Sequence, residues 1–299
     1  MDNNVVSKKI HRKRISWTPY VLVAPLFVLM LAFLLIPLAN ALVISFAHYQ
    51  APFVYDQSVF TMENYAKFFS TPNYYATLIR TIRISAISTL ICLLLGYPAA
   101  YYMAKLSGKK QQIYLMVYLA PWLINVAVKA FGWSLLLSDS GIINGLLRNL
   151  HIIEKPLHML FTEGSIIIGL VHGCLIFAVL PIYTSIKAID PNLAYAAANL
   201  GAKPAQIFFR ITLPLSRMGI LAGGLIVFAT TMAAYTTPIL LGGGRNRVLS
   251  FLVYEQSNRL MNWPMGAAIA FVLVIIAAIL VMAIQKFFEA NKRRRDLME

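Results

Sequence analysis

The sequence predicts an all-α integral membrane protein of six transmembrane helices, and three observations carry that prediction. The 299 residues are 59% hydrophobic and only 12% charged, with mean hydropathy +0.70. Soluble domains carry about 25% charged residues. Six apolar stretches are each long enough to cross about 30 Å of hydrocarbon, which takes about 20 helical residues. The basic residues gather at the ends of those stretches, which is how topology determinants are distributed. The formal net charge of +15 therefore reads as membrane orientation and not as a nucleic-acid footprint.

The first span runs from about Tyr20 to Phe46 and contains Pro25 and Pro37. Its basic flank, Lys8 to Arg14, precedes an apolar run too long for a signal-peptide core, so it reads as an uncleaved first span. The others run from about Ile79 to Met103, Ile113 to Leu137, Ser165 to Ile186, Met218 to Leu241 and Pro264 to Phe288. Residues 19–289 then form one transmembrane domain between a basic N-terminal segment, 1–18, and a basic tail, 290–299. Lys8 to Arg14, Lys105 to Lys110, Lys187 to Arg217 and Lys286 to Arg295 hold most of the 26 Lys and Arg residues. Both termini and the loop after span four are accordingly expected in the cytoplasm. The tail run Lys292 to Arg295 suits a lipid-surface anchor.

Three segments are expected outside. Ala47 to Leu78 is rich in Tyr and Phe and reads as a short helical cap at the interface. Asp139 to Glu163 is polar, with Gly141 and Pro156 as breakers, and Gly242 to Arg247 is a turn. Cys92 and Cys174 both fall inside spans and read as small apolar packing residues.

The most informative segment is Asp190 to Pro214, DPNLAYAAANLGAKPAQIFFRITLP. Asp190 suits an N-cap and Pro191 a first helical turn. Ala-rich sequence continues the helix to Leu200, and Gly201 permits a sharp turn. Lys203-Pro204 restarts a second short helix, and Pro214 is expected to end the segment. The result is a helical hairpin on the membrane surface. It is either a handle for another protein or an amphipathic interfacial hairpin with no partner.

Inside the membrane the conspicuous charge is Lys129, about eight residues from the outer end of span three and so roughly 12 Å deep. A lysine there costs about 2.5–3.5 kcal/mol on insertion scales. Asn125, Lys129 and Trp133 share one face of a continuous helix, at i, i+4 and i+8. They read as a polar stripe lining a solute path, or else Lys129 snorkels outward or pairs with a backbone carbonyl. Thr230, Thr231, Tyr235, Thr236 and Thr237 precede Pro238 in span five. Their hydroxyls could bond a solute or turn back on their own helix; Thr231 and Tyr235 are taken as path candidates. His172 reads as a satisfied buried histidine, and Gly223-Gly224 as a close helix contact.

Enzyme chemistry finds no foothold. The sequence has no phosphate-binding G-x-x-x-x-G-K-[ST] loop, no H-E-x-x-H zinc pattern among its five histidines, and no G-x-S-x-G elbow. No catalytic residue, metal ligand or cofactor is assigned to this chain.

Two sets of residues carry a family resemblance. Ala196-Ala197, Gly201 and Ile211-x-Leu213-Pro214 match the spacing of the "EAA" loop of ABC-importer permeases, namely E-A-A, three residues, G, nine residues, I-x-L-P. Tyr195 stands where that family usually has Glu. P-x-L-x-x-x-x-V-K-A-F-G-W at Pro121–Trp133 resembles the span-three motif of spermidine/putrescine-type permeases, in which Arg usually occupies the Lys129 position. Thr236-x-Pro238-x-Leu240-Leu241-Gly242-Gly243 and Asn262-Trp263-Pro264-x-Gly266-Ala267-Ala268 are similar to the same group.

The resemblance implies a type I ABC importer permease fold in a bacterial inner membrane. It implies a second permease subunit forming a heterodimer, two cytoplasmic ATPase subunits that bind the ATP and Mg, and a periplasmic or extracellular solute-binding protein. The loop residues Tyr195, Ala196, Ala197, Gly201, Ile211, Leu213 and Pro214 would then dock on the ATPase. Physics and resemblance disagree about the solute. Polyamines are polycations, yet the six stretches lack Asp and Glu, and Lys129 adds positive charge. Either a partner permease supplies acidic groups, or the solute carries a carboxylate or similar anion. A stand-alone secondary transporter or channel is the alternative, although the spans show neither intramembrane acids nor inverted repeats.

Overall fold

A computed structural model describes the backbone of residues 18–296 and the side chains of residues 22–286 and 288. The basic segment Lys8 to Arg14 and residues 297–299 lie outside the described residues, as do the side chains of the Lys292–Arg295 anchor. The chain is helical almost throughout. Among the described residues five stretches are long and apolar enough to cross a membrane, Leu22–Ser45, Pro72–Lys105, Val126–Asn149 (two helices in close succession), Glu163–Lys187 and Trp263–Lys286, and a sixth span results if the bent pair Pro204–Leu215 and Arg217–Ala233 is counted as one.

α1 (Thr18–Ser45) runs through Pro25 and Pro37 without ending, as membrane helices can when the freed carbonyls find other donors. From Leu22 to Val43 it buries no side chain, and it lies along the last helix. Hydrocarbon is as good a solvent for Leu and Phe as a protein core, so nothing forces this face against the bundle. Its end is tied down instead: Asn64 Nδ2 donates to the carbonyls of Ser45 and Ala47, both at 3.0 Å. That closes orphan acceptors of a helix C-terminus.

The segment expected as a helical cap is more elaborate. A two-stranded antiparallel hairpin, β1 (His48–Ala51) and β2 (Val54–Asp56), precedes α2 (Glu63–Ser70). α3 (Pro72–Lys105) starts seven residues before the expected Ile79, with Pro72 in its first turn.

The expected third span is not one helix. It breaks into α4 (Gly108–Leu123) and α5 (Val126–Leu137), with Ile124 and Asn125 extended between them. Asn125 therefore caps α5 through Ala127 N, 2.8 Å from its Oδ1, and does not sit on a continuous face with Lys129 and Trp133. α6 (Ile142–Asn149) follows, a helix within a segment that the sequence marks only by its breakers. α7 (Glu163–Lys187) opens with a reciprocal capping box between Thr162 and Ser165.

The cytoplasm-assigned hairpin is α8 (Pro191–Asn199) and α9 (Pro204–Ile207). Asp190 caps α8 by accepting from Asn192 N at 2.9 Å, and Gly201 turns the chain at φ +80°. Pro214 does not end the segment. A π-helical turn, Phe208–Thr212, leads directly into α10 (Leu213–Leu215), and the chain bends at Ser216.

The expected fifth span is also broken, into α11 (Arg217–Ala233) and α12 (Thr236–Gly242) around an extended Ala234. α13 (Leu249–Tyr254), a second π-helical turn (Glu255–Arg259) and α14 (Trp263–Asp296) complete the chain.

α3, α7 and α11 form the packed centre around Cys92, Ala100, Ala178, Val179, Ile182 and Val227. Small residues allow this approach. A Cβ on Gly223 would sit 3.1 Å from the Ala178 backbone, and one on Gly219 would sit 2.5 Å from the Pro181 carbonyl. In lipid, such van der Waals contact replaces the hydrophobic effect as the force between helices. A second cluster, including Phe68, Leu78, Leu249, Leu252 and Ile269, joins α2, α3, α13 and α14. Two of the segments assigned outward meet at one end of the bundle, where Asn246 Nδ2 donates to Phe161 O at 2.6 Å, and the turn between β1 and β2 is tied just ahead of the last helix, Phe53 N donating to Met261 O at 3.3 Å. The hairpin lies at the other end.

Replacing Gly219 with Val should force α7 and α11 apart, because the obstruction is backbone. The expected cost is about 1–3 kcal/mol, read as a lower thermal unfolding midpoint in detergent. Gly132→Ala, where a Cβ meets nothing within 4 Å, should leave the midpoint unchanged or slightly raised.

Candidate translocation cavity and surface hairpin

The two helix breaks face each other. Between them lies a cavity of about 610 Å³, lined by the ends of α4 and α5, the middle turns of α7, and the junction of α11 and α12. A break inside hydrocarbon leaves carbonyls without their helical donors, each costing several kcal/mol if unmet. At each break a side chain meets one of the freed carbonyls. Lys129 Nζ donates to the Pro121 carbonyl at 2.5 Å. Ser250 Oγ donates to the Ala234 carbonyl at 2.6 Å.

Lys129 thus combines two of the alternatives the sequence leaves open, since it lines the cavity and also pairs with a backbone carbonyl. Its ammonium sits at the C-terminal, negative end of the α4 dipole, where a cation is favoured. Gly173 on α7 leaves it room, with a Cβ there only 3.5 Å from Nζ.

Four of the five path candidates, Asn125, Lys129, Trp133 and Tyr235, line this cavity. Thr231 does not. It is buried, and its hydroxyl turns back to the carbonyls of Val227 and Phe228 at 2.9 and 3.0 Å. Its neighbour Thr230 lines the cavity instead. One helical residue is about 100° of rotation, and the sequence fixes the cluster without fixing that angle. Trp133 Nε1 donates to His172 Nδ1 at 3.1 Å, so the histidine is satisfied within the bundle and holds the indole in place. Tyr235 leans on Tyr254 with ring centroids 5.0 Å apart. Trp122 and Phe177 add an edge-to-face pair at 6.1 Å on the opposite wall. Among the described residues, no Asp or Glu lines the cavity.

Sequence reasoning missed Pro121 as acceptor, Ser250 as donor, and the pair Trp122–Phe177. Pro121 carried a local signal, since proline removes a donor and the chain breaks just beyond it. Ser250 carried none, because its acceptor lies 16 residues away across a loop.

On the hairpin, Tyr195, Ala196 and Gly201 are exposed, while Ala197, Ile211, Leu213 and Pro214 are half-buried. Ala197, Gly201 and Ile211 border a hollow of about 470 Å³ between the two limbs. Leu200 is 88% exposed at the tip. The base of the hairpin is clamped to α3. Phe208 packs edge-on against Tyr97 and Tyr101, at 5.7 and 5.2 Å, and the Tyr97 hydroxyl shares a hydrogen bond with Ser216 Oγ at 2.8 Å.

Comparison with known proteins agrees with this geometry. The family described as "Binding-protein-dependent transport system inner membrane component" matches residues 93–294. The spermidine/putrescine transport system permease protein PotB of Haemophilus influenzae is 34% identical over 270 residues, covering 90% of this chain and 93% of that protein. Its namesake in Escherichia coli is 36% identical over 224 residues, covering 75% and 81%. A chain in the crystal structure of a bacterial alginate ABC transporter, in complex with an alginate pentasaccharide-bound periplasmic protein, superposes with TM-score 0.75 at 19% identity, covering 90% of this chain and 92% of that one. The broken spans, the cavity between them and the hairpin below are thus parts of an ABC importer permease fold, and the chain belongs to the family of inner-membrane components of binding-protein-dependent transport systems.

Proposed function

We propose that this chain is one of two permease subunits in an ATP-driven importer of a polyamine. In this reading the Asp190–Pro214 hairpin engages a cytoplasmic ATPase and the cavity between the broken spans passes the solute. The similarity to spermidine/putrescine permeases over most of the chain carries the solute assignment. The hairpin supports the coupling role. Its tip is exposed and apolar, and its base is stacked on α3, so a push on Leu200 or Tyr195 reaches the centre of the bundle through Phe208, Tyr97 and Ser216. Closure of the ATPase pair on ATP would move the hairpin and open the cavity outward. Release of ADP and phosphate would reverse it. ATP and Mg would be held by the ATPase subunits, and a periplasmic binding protein would deliver the solute.

A polycation meets this half of the path without a carboxylate. What it does meet is aromatic: Trp122, Trp133, Phe177 and Tyr235 line the cavity. Ring faces attract alkylammonium groups by about 0.5–2 kcal/mol each. The second permease would contribute the acidic groups. Lys129 favours a second reading, an anionic solute, because it is the cavity's one cationic side chain among the described residues.

The test is reconstitution with the ATPases, the partner permease and the binding protein, with ATP hydrolysis and uptake of labelled spermidine measured together. Solute-dependent stimulation of both is expected. For Lys129→Gln, removing the positive charge should leave the KM for spermidine unchanged or lower; uptake of an anionic solute by the unmutated complex that Lys129→Gln weakens would favour the second reading. Lys129→Met should lose uptake at least tenfold and about 1–3 kcal/mol of stability by leaving the Pro121 carbonyl bare, whereas Lys129→Arg should keep both. Gly201→Val is strained by its φ of +80°, by about 1–2 kcal/mol. It should leave membrane insertion intact and uncouple hydrolysis from uptake; normal uptake would remove the hairpin from the coupling path.

A further inference from the structure

Towards the hairpin end of the bundle, α14 parts from α3 and α11 and leaves two hollows end to end. The first, about 270 Å³, is walled by Leu90 and Leu93 of α3, Gly224 and Phe228 of α11, and Ile284 of α14. The second, about 330 Å³, is bounded by Arg217 and Met218 of α11 and Gln285 of α14. Leu221, Leu225 and Phe288 border both, so the two form one crevice, apolar within and polar at its mouth. It shares no residue with the cavity between the broken spans.

The level of the mouth is set by the sequence. α11 begins at Arg217, and the apolar run of α14 ends at Lys286. Charge appears at the same height on two antiparallel helices, which is where hydrocarbon gives way to headgroups. Arg217 is half-buried, and its guanidinium makes no ion pair or hydrogen bond among the described residues. A planar fork of five donors beside apolar side chains calls for an anion. Among the described residues the hairpin end has one carboxylate, Asp190, and that carboxylate caps α8. The membrane itself carries the missing chemistry. A phospholipid joins hydrocarbon to phosphate in the order in which the crevice joins its apolar chamber to Arg217.

We propose that this crevice holds one acidic phospholipid from the leaflet on the hairpin side, with its headgroup on Arg217 and an acyl chain against Leu90, Gly224 and Phe228. An acidic headgroup fits better than a zwitterionic one, because the mouth presents a cation and no carboxylate to receive a quaternary ammonium. The lipid would bridge α14 to the packed centre where protein side chains do not. The apolar cluster that joins α14 to α2, α3 and α13 lies at its other end, around Met265, Ile269 and Val272. The bridged helix, α11, runs from the bend at Ser216 to the break at Ala234, so the lipid lies against the element that links hairpin to cavity. The proposal needs only that the chain spans a membrane and is independent of the solute.

The test uses the full chain, with whatever subunits accompany it from the membrane, in phosphatidylcholine nanodiscs. Trace phosphatidylglycerol or phosphatidylcholine, each with a photoactivatable acyl chain, is cross-linked, and the labelled peptides are mapped. Phosphatidylglycerol should label residues 86–93 and 221–228 about fivefold more than phosphatidylcholine does. Unlabelled phosphatidylglycerol should compete, and inorganic phosphate should not. Arg217→Gln should lower the phosphatidylglycerol signal to the phosphatidylcholine level, while Arg217→Lys should keep most of it. Ala86 is exposed on the rim, so Ala86→Trp displaces no packed side chain; it should abolish labelling by both probes and leave the thermal midpoint in phosphatidylcholine unchanged. Equal labelling by the two probes, or an unchanged signal in Arg217→Gln, overturns the proposal. The competition needs no variant, and failure of phosphatidylglycerol to displace its own probe overturns it too. Cross-linking of these segments to a second subunit in place of lipid assigns the crevice to a partner helix and overturns it as well.

Discussion

A carbonyl in hydrocarbon must find a donor, and that constraint shapes the middle of this protein. An unbroken helix meets it automatically but offers a solute only a smooth wall. Two spans here are interrupted at the level of the cavity, and at each interruption one side-chain donor meets a freed carbonyl, Lys129 on Pro121 and Ser250 on Ala234. Those two bonds lower the cost of irregular backbone beside the cavity.

Around the breaks the chain separates rigid from loosely held parts. α3, α7 and α11 approach closely through small residues, and a close-packed contact transmits displacement without absorbing it. The hairpin is fastened to that centre by the Tyr97–Ser216 bond and by Phe208. α1, by contrast, lies along α14 and buries no side chain from Leu22 to Val43. The base of the hairpin thus sits on the most closely packed part of the bundle.

Most of the architecture was legible in the sequence. Four of the six apolar stretches are single helices near the expected bounds, and the Asp190 cap and the turn at Gly201 follow from residue type alone. The cavity lysine was found because charge is scarce inside such a chain, and the hairpin because its Asp, Pro and Gly punctuation and its family spacing stand out. What escaped depends on distant partners. The proline of PWLIN hints at a break, but its place and its closure show only once Lys129 is seen folding back on the Pro121 carbonyl. Thr231 and Thr230 are chemically alike and differ only in which way their helix is turned. The strands at His48–Asp56 were hidden because aromatic residues suit an interfacial helix and a short hairpin equally well.

The wide turn at Phe208–Thr212 has a consequence of its own. Its closing bond runs from Leu213 N to Phe208 O, five residues back, so the second limb carries one residue more than a regular helix would use there. That surplus sets the angular phase between the hairpin tip and everything after it. The limb is therefore a length-coded linkage: losing or gaining a single residue in it would turn everything beyond by about 100° relative to Phe208 and the tyrosines that hold it.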